Sequence, residues 1–402
     1  MSRSMPDKPR VLMLTARHNP FDGRIFHFEA KTLVEAGFEV TIVAPRAGGE
    51  PVERDGVRFL PFEKAPKGVA RKLSTLKALA QAATRLAPDV LHVHEVDAPL
   101  LAGWWAKRRL ARKGRRARLV YDCHEPWPFF YARNFGERGL LHHGVKHAVI
   151  AYESWMLRHG VDGVLTAHDL EADYLRFLEP RIPVRTSLNT PPLDAWPDTP
   201  PVREGPIEVI GHEGYMTESH GLKTLLGAFE RLAREHPRLR LLIAGKLQYP
   251  SDEEYFRSWL LRTNLQDRVE YPGWVQRDDL WRYLDRMDIG IHATGMDANA
   301  VRVWPANKIM AYLSRGLPIV STPHPMNRAM FARYGCGVVA DGGGPEALGD
   351  AIGSLIDSPE RARKMGAAGW KLAKDRFDPA QSRRELLALY EELFREETRT
   401  AL

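Results

Sequence analysis

Apolar positions along this chain follow two periods that alternate almost from end to end. Short runs of consecutive apolar or β-branched residues predict buried strands, and longer segments with apolar residues every third or fourth position predict helices. The first strand is expected over residues 10–14 (RVLML), followed by a loop with Asp22-Gly23 as its turn signal and a helix that stops at Gly37. A strand over 40–44 (VTIVA) completes a parallel βαβ crossover. The alternation continues with a helix over 73–86, a strand over 90–94 and a helix over 100–112. A strand over 118–121 then emerges at Asp122-Cys123-His124-Glu125. A long amphipathic helix over 140–159, a strand over 161–166 and a helix over 167–178 follow. Residues 191–206 are dense in proline and carry little periodicity, which is the composition of a linker.

Beyond the linker the pattern restarts. Strands are expected over 207–210, 239–244, 269–271 and 289–293, and helices over 222–234, 252–261 and 280–285. Residues 304–322 (WPANKIMAYLSRGLPIVST) then predict a helix that breaks at Gly316 and drops into a buried strand. In an open α/β sheet, ligands sit beyond the carboxyl ends of the strands, and helix N-termini favour anions. The start of that helix, at Asn307 and Lys308, is therefore the place to expect a phosphorylated ligand. A strand over 338–340, helices from Pro345 and Pro359 and a last helix over 382–394 finish the chain. The organisation is a first α/β domain over 1–190, a linker over 191–206, a second α/β domain over 207–378, and a C-terminal helix within 379–402 that crosses back to the first domain.

Composition narrows this picture. The 402 residues suffice for two domains, and 44% hydrophobic with 27% charged residues is a globular balance. The first ten residues lack an apolar signal core and no apolar run is long enough to span a bilayer, so a cytoplasmic location is expected. Cys123 and Cys336, the only cysteines, offer neither a disulfide framework nor a thiolate metal cluster. A net charge of +7 favours anionic partners. Eight of those basic residues crowd into 107–118 with no acid among them. After Trp104-Trp105 no aromatic is interleaved with that run, so nucleic acid is not expected there. An anionic membrane surface is.

Five segments together resemble one family. They are HNPFDGRIFHFEAKTLVEAGFEVTIVA, DVLHVHEVDAPL, LVYDCHEPWP, GWVQRDDLWRYLDRMDIGIHA and PANKIMAYLSRGLPIVST. In this order they resemble the GT-B glycosyltransferases, specifically the retaining family-4 (group 1) enzymes of bacterial polysaccharide and glycolipid biosynthesis. The resemblance implies two tandem Rossmann-like domains with a cleft between them. It also implies transfer of a sugar from a UDP-, GDP- or dTDP-sugar to a glycan or lipid-linked acceptor, without an essential metal or other cofactor. Cationic side chains and helix N-termini would then carry the phosphate work.

Residue by residue, the resemblance makes His124 the histidine beside the donor sugar and places Arg24 against the reacting sugar in the first loop, with Asp22 and Gly23 beside it. His94 and Asp97 fall on the acceptor side. Glu95 and Asp97 read as loop caps or acceptor contacts rather than a metal pair. Lys246 and Lys308 are the leading phosphate ligands, with Asn307, Lys223 and His220 near them, and the nucleotide is expected beside Gly273, Trp274 and Val275. Two departures stand out. His220-Gly221 occupies the place of the family's Arg-Gly or Lys-Gly, and a neutral imidazole is a weaker diphosphate partner than a guanidinium. Ala311 occupies the place of the glutamate that binds the donor ribose. The usual earlier acidic position is also vacant near Val303, leaving Asp297 as a substitute from the loop. These departures keep two alternatives open, a catalytically silent GT-B-like binding subunit and a GT-B sugar-nucleotide epimerase.

Overall fold

The computed structural model describes residues 8–46, 48, 51–64, 68–136, 139–190, 197–294 and 306–399. The chain divides into two compact units, 1–189 with 380–402, and 190–379. Each is an α/β unit built on a parallel sheet, as the alternating pattern predicts.

In the first unit, β1 (Arg10–Leu14) leads through a wide helical turn at Ile25–Ala30 into α1 (Lys31–Glu35) and β2 (Glu39–Pro45). A short hairpin follows, β3 (Glu53–Arg54) and β4 (Val57–Phe62). The alternation then runs α2 (Val69–Leu86), β5 (Val90–Val93), α3 (Ala98–Ala111), β6 (Arg118–Cys123), α4 (Trp127–Ala132), α5 (Leu140–His159), β7 (Gly163–Thr166), α6 (Asp169–Leu178) and β8 (Val184–Thr186). Strand order is β3-β4-β2-β1-β5-β6-β7-β8, with only β3 antiparallel to its neighbour. The pattern reading passed over β3, β4 and β8. β3 and β8 are too short to show a period, and β4 carries Arg58 and Pro61 inside an otherwise apolar run.

The second unit contains β9 (Val209–Met216), α7 (Leu222–Glu235), β10 (Arg240–Leu247), α8 (Pro250–Thr263), β11 (Val269–Glu270), α9 (Arg277–Leu284) and β12 (Ile289–His292). It closes with α10 (Asn307–Ser314), β13 (Ile319–Ser321), α11 (Pro325–Tyr334), β14 (Gly337–Val339), α12 (Pro345–Ile356) and α13 (Pro359–Arg376). Its sheet is all parallel in the order β11-β10-β9-β12-β13-β14. β9 outruns the expected strand by several residues, through Gly211-His212-Glu213-Gly214. Pairing with β10 over its full length, from Arg240 opposite Val209 to Leu247 opposite Met216, overrides the weak strand propensity of those glycines. Gly245 is required there, since a Cβ at that position would lie 1.8 Å from the Gly214 carbonyl oxygen.

The last helix, α14 (Pro379–Arg399), packs on the first unit. Its Leu386, Leu389, Tyr390 and Leu393 are buried with Val11, Ile25, Leu33 and Val40, so the helix covers one face of the first sheet. Burying such a set of apolar side chains stabilises this docking by about 1.5–3 kcal/mol each.

Candidate functional site

Strand alternation sets the centre of the first unit. His92 and His94 are two apart on β5 and its exit, so they share a face, and their rings stack 4.8 Å apart at 16°. Asp122 and His124 are likewise two apart at the end of β6. The last paired residues of β5 and β6 are Val93 and Tyr121, which leaves His94 and Asp122 side by side just beyond them. From the loop after β1 the wide helical turn brings Arg24 and Glu29 into the same place, both buried.

The Arg24 guanidinium clasps Asp122 with both prongs, Nε to Oδ2 at 3.0 Å and Nη2 to Oδ1 at 2.7 Å. A further Arg24 nitrogen donates to the Ser187 carbonyl. Asp122 Oδ2 also accepts from His94 Nδ1 at 3.1 Å and from His124 Nε2. Burial alone would raise the Asp122 carboxyl, but the Arg24 and His124 contacts outweigh it and hold the group well below the usual carboxylate range. Burial pushes His124 down to about 4 against the pull of Asp122, so its ring is neutral at physiological pH. Glu29 lies 2.9 Å from Arg24 Nε, yet neither of its oxygens accepts an aligned hydrogen bond. Burial and the Asp122 charge push it well above the ordinary carboxylate range. His92 completes the group, with Nδ1 2.7 Å from the hydroxyl of Tyr390 on α14.

Glu29, His92, His94 and Asp122 are ligand-type side chains whose donor atoms lie within 4.8 Å of one another, so they could hold a metal ion. The charge count favours a proton instead. One guanidinium balances one carboxylate, and a proton on Glu29 brings the buried cluster to neutrality. A divalent cation with both carboxylates ionised would leave a net positive charge in a dry interior, where the desolvation penalty is several kcal/mol per ion, an order-of-magnitude figure.

Around this centre, Asp22 caps the helical turn, accepting from the Arg24 and Ile25 amides at 2.8 and 3.1 Å, and its other oxygen lies 3.2 Å from His18 Nδ1. Gly23 is half-buried between them. Glu95 ties down the first loop, accepting from Thr15 Oγ1 at 2.6 Å and from the Arg17 amide at 3.0 Å. Asp97 is held by Arg17 and Tyr131, each at 2.6 Å, and the Arg17 guanidinium stacks among Trp127, Phe130 and Tyr131. The structure thus brings His94, His124, Arg24 and Asp22 into one neighbourhood and gives Asp97 to the Arg17 pair. Arg24 is 3% exposed with its guanidinium fully engaged, so it supports Asp122 instead of presenting its charge at the surface, because a bidentate partner waits within the core.

The second unit holds a separate constellation between the middle of β9 and the carboxyl end of β12. Lys308 Nζ lies 3.2 Å from His212 Nε2. His292 Nδ1 meets the Asn327 amide at 3.0 Å, and His324 Nδ1 accepts from the Asn327 backbone at 3.4 Å. Burial and then the Lys308 charge push both His212 and His292 well down, with His220 close enough to add to the effect. Burial pushes half-buried Lys308 down to about 8 against the pull of Glu213. His220 sits just before Gly221, whose left-handed φ of 75° and close approach to Ala293 (2.5 Å from an added Cβ) admit only glycine. Asn307 is exposed at the start of α10, whose N-cap residue, Ala306, gives no side-chain hydrogen bond to the first amides. A helix start beside an imidazole and ammonium cluster is suited to a polyanion.

The other residues expected here lie apart from this cluster. Lys246 is exposed at the end of β10. Lys223 is exposed, paired with Glu218 at 2.9 Å and lying over Tyr255. Trp274 is exposed against the Tyr215 ring at 5.2 Å, and Gly273 and Val275 flank it. Ala311 is 5% exposed within α10, so no carboxylate projects from that position. Asp297, Val303 and Trp304 lie outside the described residues. The motif reading gives no role to Asp122, His92, His212, His292 and His324. Strand period marks His92 and Asp122, each two residues before a histidine already singled out, but nothing local marks His324.

Comparison with known proteins follows this geometry. Residues 205–372 match the family described as glycosyl transferases group 1, and residues 24–188 match the glycosyl transferase 4-like domain. No curated protein sequence matches the chain. Among solved structures, sucrose-phosphate synthase from Thermosynechococcus elongatus superposes with a TM-score of 0.70 at 16% identity, covering 97% of this chain and 100% of that one. Anabaena HepE, in complex with UDP-glucose, gives 0.69 at 14% identity, covering 96% and 100%. A UDP-N-acetylglucosamine 2-epimerase of Listeria monocytogenes, described as putative, gives 0.59 at 12%, covering 92% and 95%. At these identities the structures establish the shared GT-B fold alone.

Proposed function

Because this chain belongs to the group 1 glycosyltransferases, we propose that it moves a hexosyl group from a nucleotide-sugar donor to a glycan or lipid-linked acceptor hydroxyl with retention of anomeric configuration. The observation that carries the donor reading is the cluster of Lys308, His212 and His292 beside the start of α10. In this reading the second unit takes the nucleotide diphosphate, and Lys308, the α10 amides and the imidazoles meet its charge without a metal ion. Neutral His124 in the first unit supplies a hydrogen-bonding group to the transferred sugar. HepE's complex with UDP-glucose supports a donor of this class. Mixing the protein with UDP-, GDP- and dTDP-sugars at millimolar concentration is expected to raise its melting temperature with one of them. No shift with any would sink the donor reading.

Ala311, in place of the ribose-binding glutamate, favours a second reading, a silent subunit that binds without turnover. Product analysis separates the readings. A transferase consumes sugar nucleotide in proportion to glycosylated acceptor, an epimerase inverts a stereocentre of the sugar with no acceptor present, and a silent subunit does neither.

We also propose attachment to the inner face of an anionic membrane, through residues 107–118. Neither α2 nor α3 contains an acid, and the two helices pack side by side. Arg108, Arg109, Arg112, Lys113 and Arg116 are exposed, and no carboxylate pairs with them among the described residues. On α2, Arg71, Lys72 and Lys77 add exposed charge next to exposed Leu73. Among the described residues no helix is long and apolar enough to cross a membrane. Near an anionic surface each such residue contributes about 1 kcal/mol. Replacing Arg108, Arg109, Arg112 and Arg116 by Ser is therefore expected to abolish sedimentation with phosphatidylglycerol vesicles at moderate salt. Undiminished sedimentation would remove this surface from the reading.

A further inference from the structure

We infer that Asp122 is a positioning residue for the transfer reaction: clamped by Arg24, it fixes the ring of His124 with the proton on Nε2 and the lone pair on Nδ1. This inference rests on the glycosyltransferase reading of the site and adds the part that holds His124 in its working state.

The geometry leaves one arrangement of protons. Asp122 Oδ2 faces three nitrogens, Arg24 Nε, His94 Nδ1 and His124 Nε2. A carboxylate oxygen only accepts, so both imidazoles direct N–H groups at it. His94 Nδ1 and His124 Nε2 approach within 3.4 Å of each other, and that contact is then a close approach of two donors held together by the shared acceptor. With Nε2 of His124 committed inward and the ring neutral, Nδ1 is the nitrogen left to accept a hydrogen bond from a ligand hydroxyl. A hydroxyl-accepting imidazole orients a sugar without protonating it.

Asp122 could not do this alone. Its carboxylate is fully buried, and the two-pronged Arg24 contact both neutralises it and sets its plane. Arg24 is itself placed by the Ser187 carbonyl and by the turn that Asp22 caps. Glu29, whose carboxyl burial and the Asp122 charge push upward, fills the remaining side beside Arg24. His92, with Nδ1 tied to Tyr390, backs the His94 ring by stacking. The C-terminal helix thereby reaches the site's support through one hydroxyl.

The test begins with the unaltered protein. Nitrogen-15 NMR of histidine-labelled chain, with His124 assigned by loss of its signals in His124→Ala, is expected to show His124 neutral and protonated at Nε2 at neutral pH. A signal protonated at Nδ1, or at both nitrogens, overturns the proposal. So does a stoichiometric metal ion in the purified protein, which would displace the proton count. In Asp122→Asn the amide presents donor and acceptor without charge, so the tautomer is expected to redistribute. With the donor that stabilises the protein, kcat is expected to fall by roughly tenfold or more, the loss of about one hydrogen bond in the transition state, while the donor KM stays near its original value. A fall confined to KM overturns it. Glu29→Gln, which replaces a neutral carboxyl by a neutral amide, is expected to keep the Nε2–H signal of His124, and its loss would show that Glu29 is ionised and overturn the charge arrangement. The tautomer is read without turnover, so a confirmed tautomer in a protein that transfers no sugar would fault the functional reading and leave the positioning role standing.

Discussion

Arg24→Met is expected to destabilise the first unit by about 3–5 kcal/mol, because it leaves the buried Asp122 carboxylate with no cation beside it. The cost is the stranded charge and far exceeds that of removing an exposed ion pair such as Lys223–Glu218, which water already screens. The sign of its pH dependence is a sharper check. In the unaltered protein the Asp122 carboxyl is held below its ordinary value, so its stabilisation is complete at neutral pH and disappears as the pH falls through the native value. In the variant only the His94 and His124 hydrogen bonds oppose burial, which raises that carboxyl above its unfolded value. The variant therefore regains stability as the pH falls toward the unfolded value, a window that lies above the one in which the unaltered protein loses it. Two units can unfold separately, and amide hydrogen exchange of β1, β5 and β6 reads the first of them directly. Wild-type protection of those strands at neutral pH would overturn the assignment of Arg24 as the counter-charge.

Lys308→Met is expected to weaken donor binding by roughly 10–150-fold, the equivalent of about 1.5–3 kcal/mol for a hydrogen bond between charged groups. Methionine keeps the length and apolar body of the side chain, so α10, whose other residues from Ile309 to Ser314 are buried, should stay folded. The pH profile again carries the sign. Lys308 is charged below about 8 and neutral above it, so affinity for a diphosphate is expected to fall as the pH rises through that value. Binding of the anion in turn raises the Lys308 pKa, so proton uptake should accompany binding near that pH. In Lys308→Met this limb of the profile disappears. Calorimetric titration in buffers of different ionisation enthalpy measures both affinity and proton uptake. An unchanged affinity in the variant would move the phosphate site elsewhere, with exposed Lys246 the next residue to replace.

The two sites differ in how much of each was legible along the chain. His124 and Lys308 could be singled out because each belongs to a local motif, one at a strand exit and one at a helix start. What surrounds them could not. Arg24 and Asp122 are 98 residues apart in sequence, and His92 and Tyr390 are 298 apart. The resemblance places Arg24 against the reacting sugar, and the fold turns its guanidinium onto Asp122, a buried carboxylate that occupies two of its five donors. Asp97 was expected to face the acceptor, and its pairing with Arg17 depends on the aromatic cage of α4, which no local period announces.

By itself the sequence determined that this chain folds as two α/β units joined by a proline-rich segment. A parallel sheet covered on both faces demands continuous apolar strands and one-sided helices, and that demand is written in the local order of residues. It also directs the search for the chemistry to the carboxyl ends of those strands. Only the tertiary structure decided which polar side chains meet. A buried charge takes whichever partner the packing delivers, and the strengths that matter there, bidentate contacts and desolvation, depend on distances of a few ångströms between residues remote along the chain.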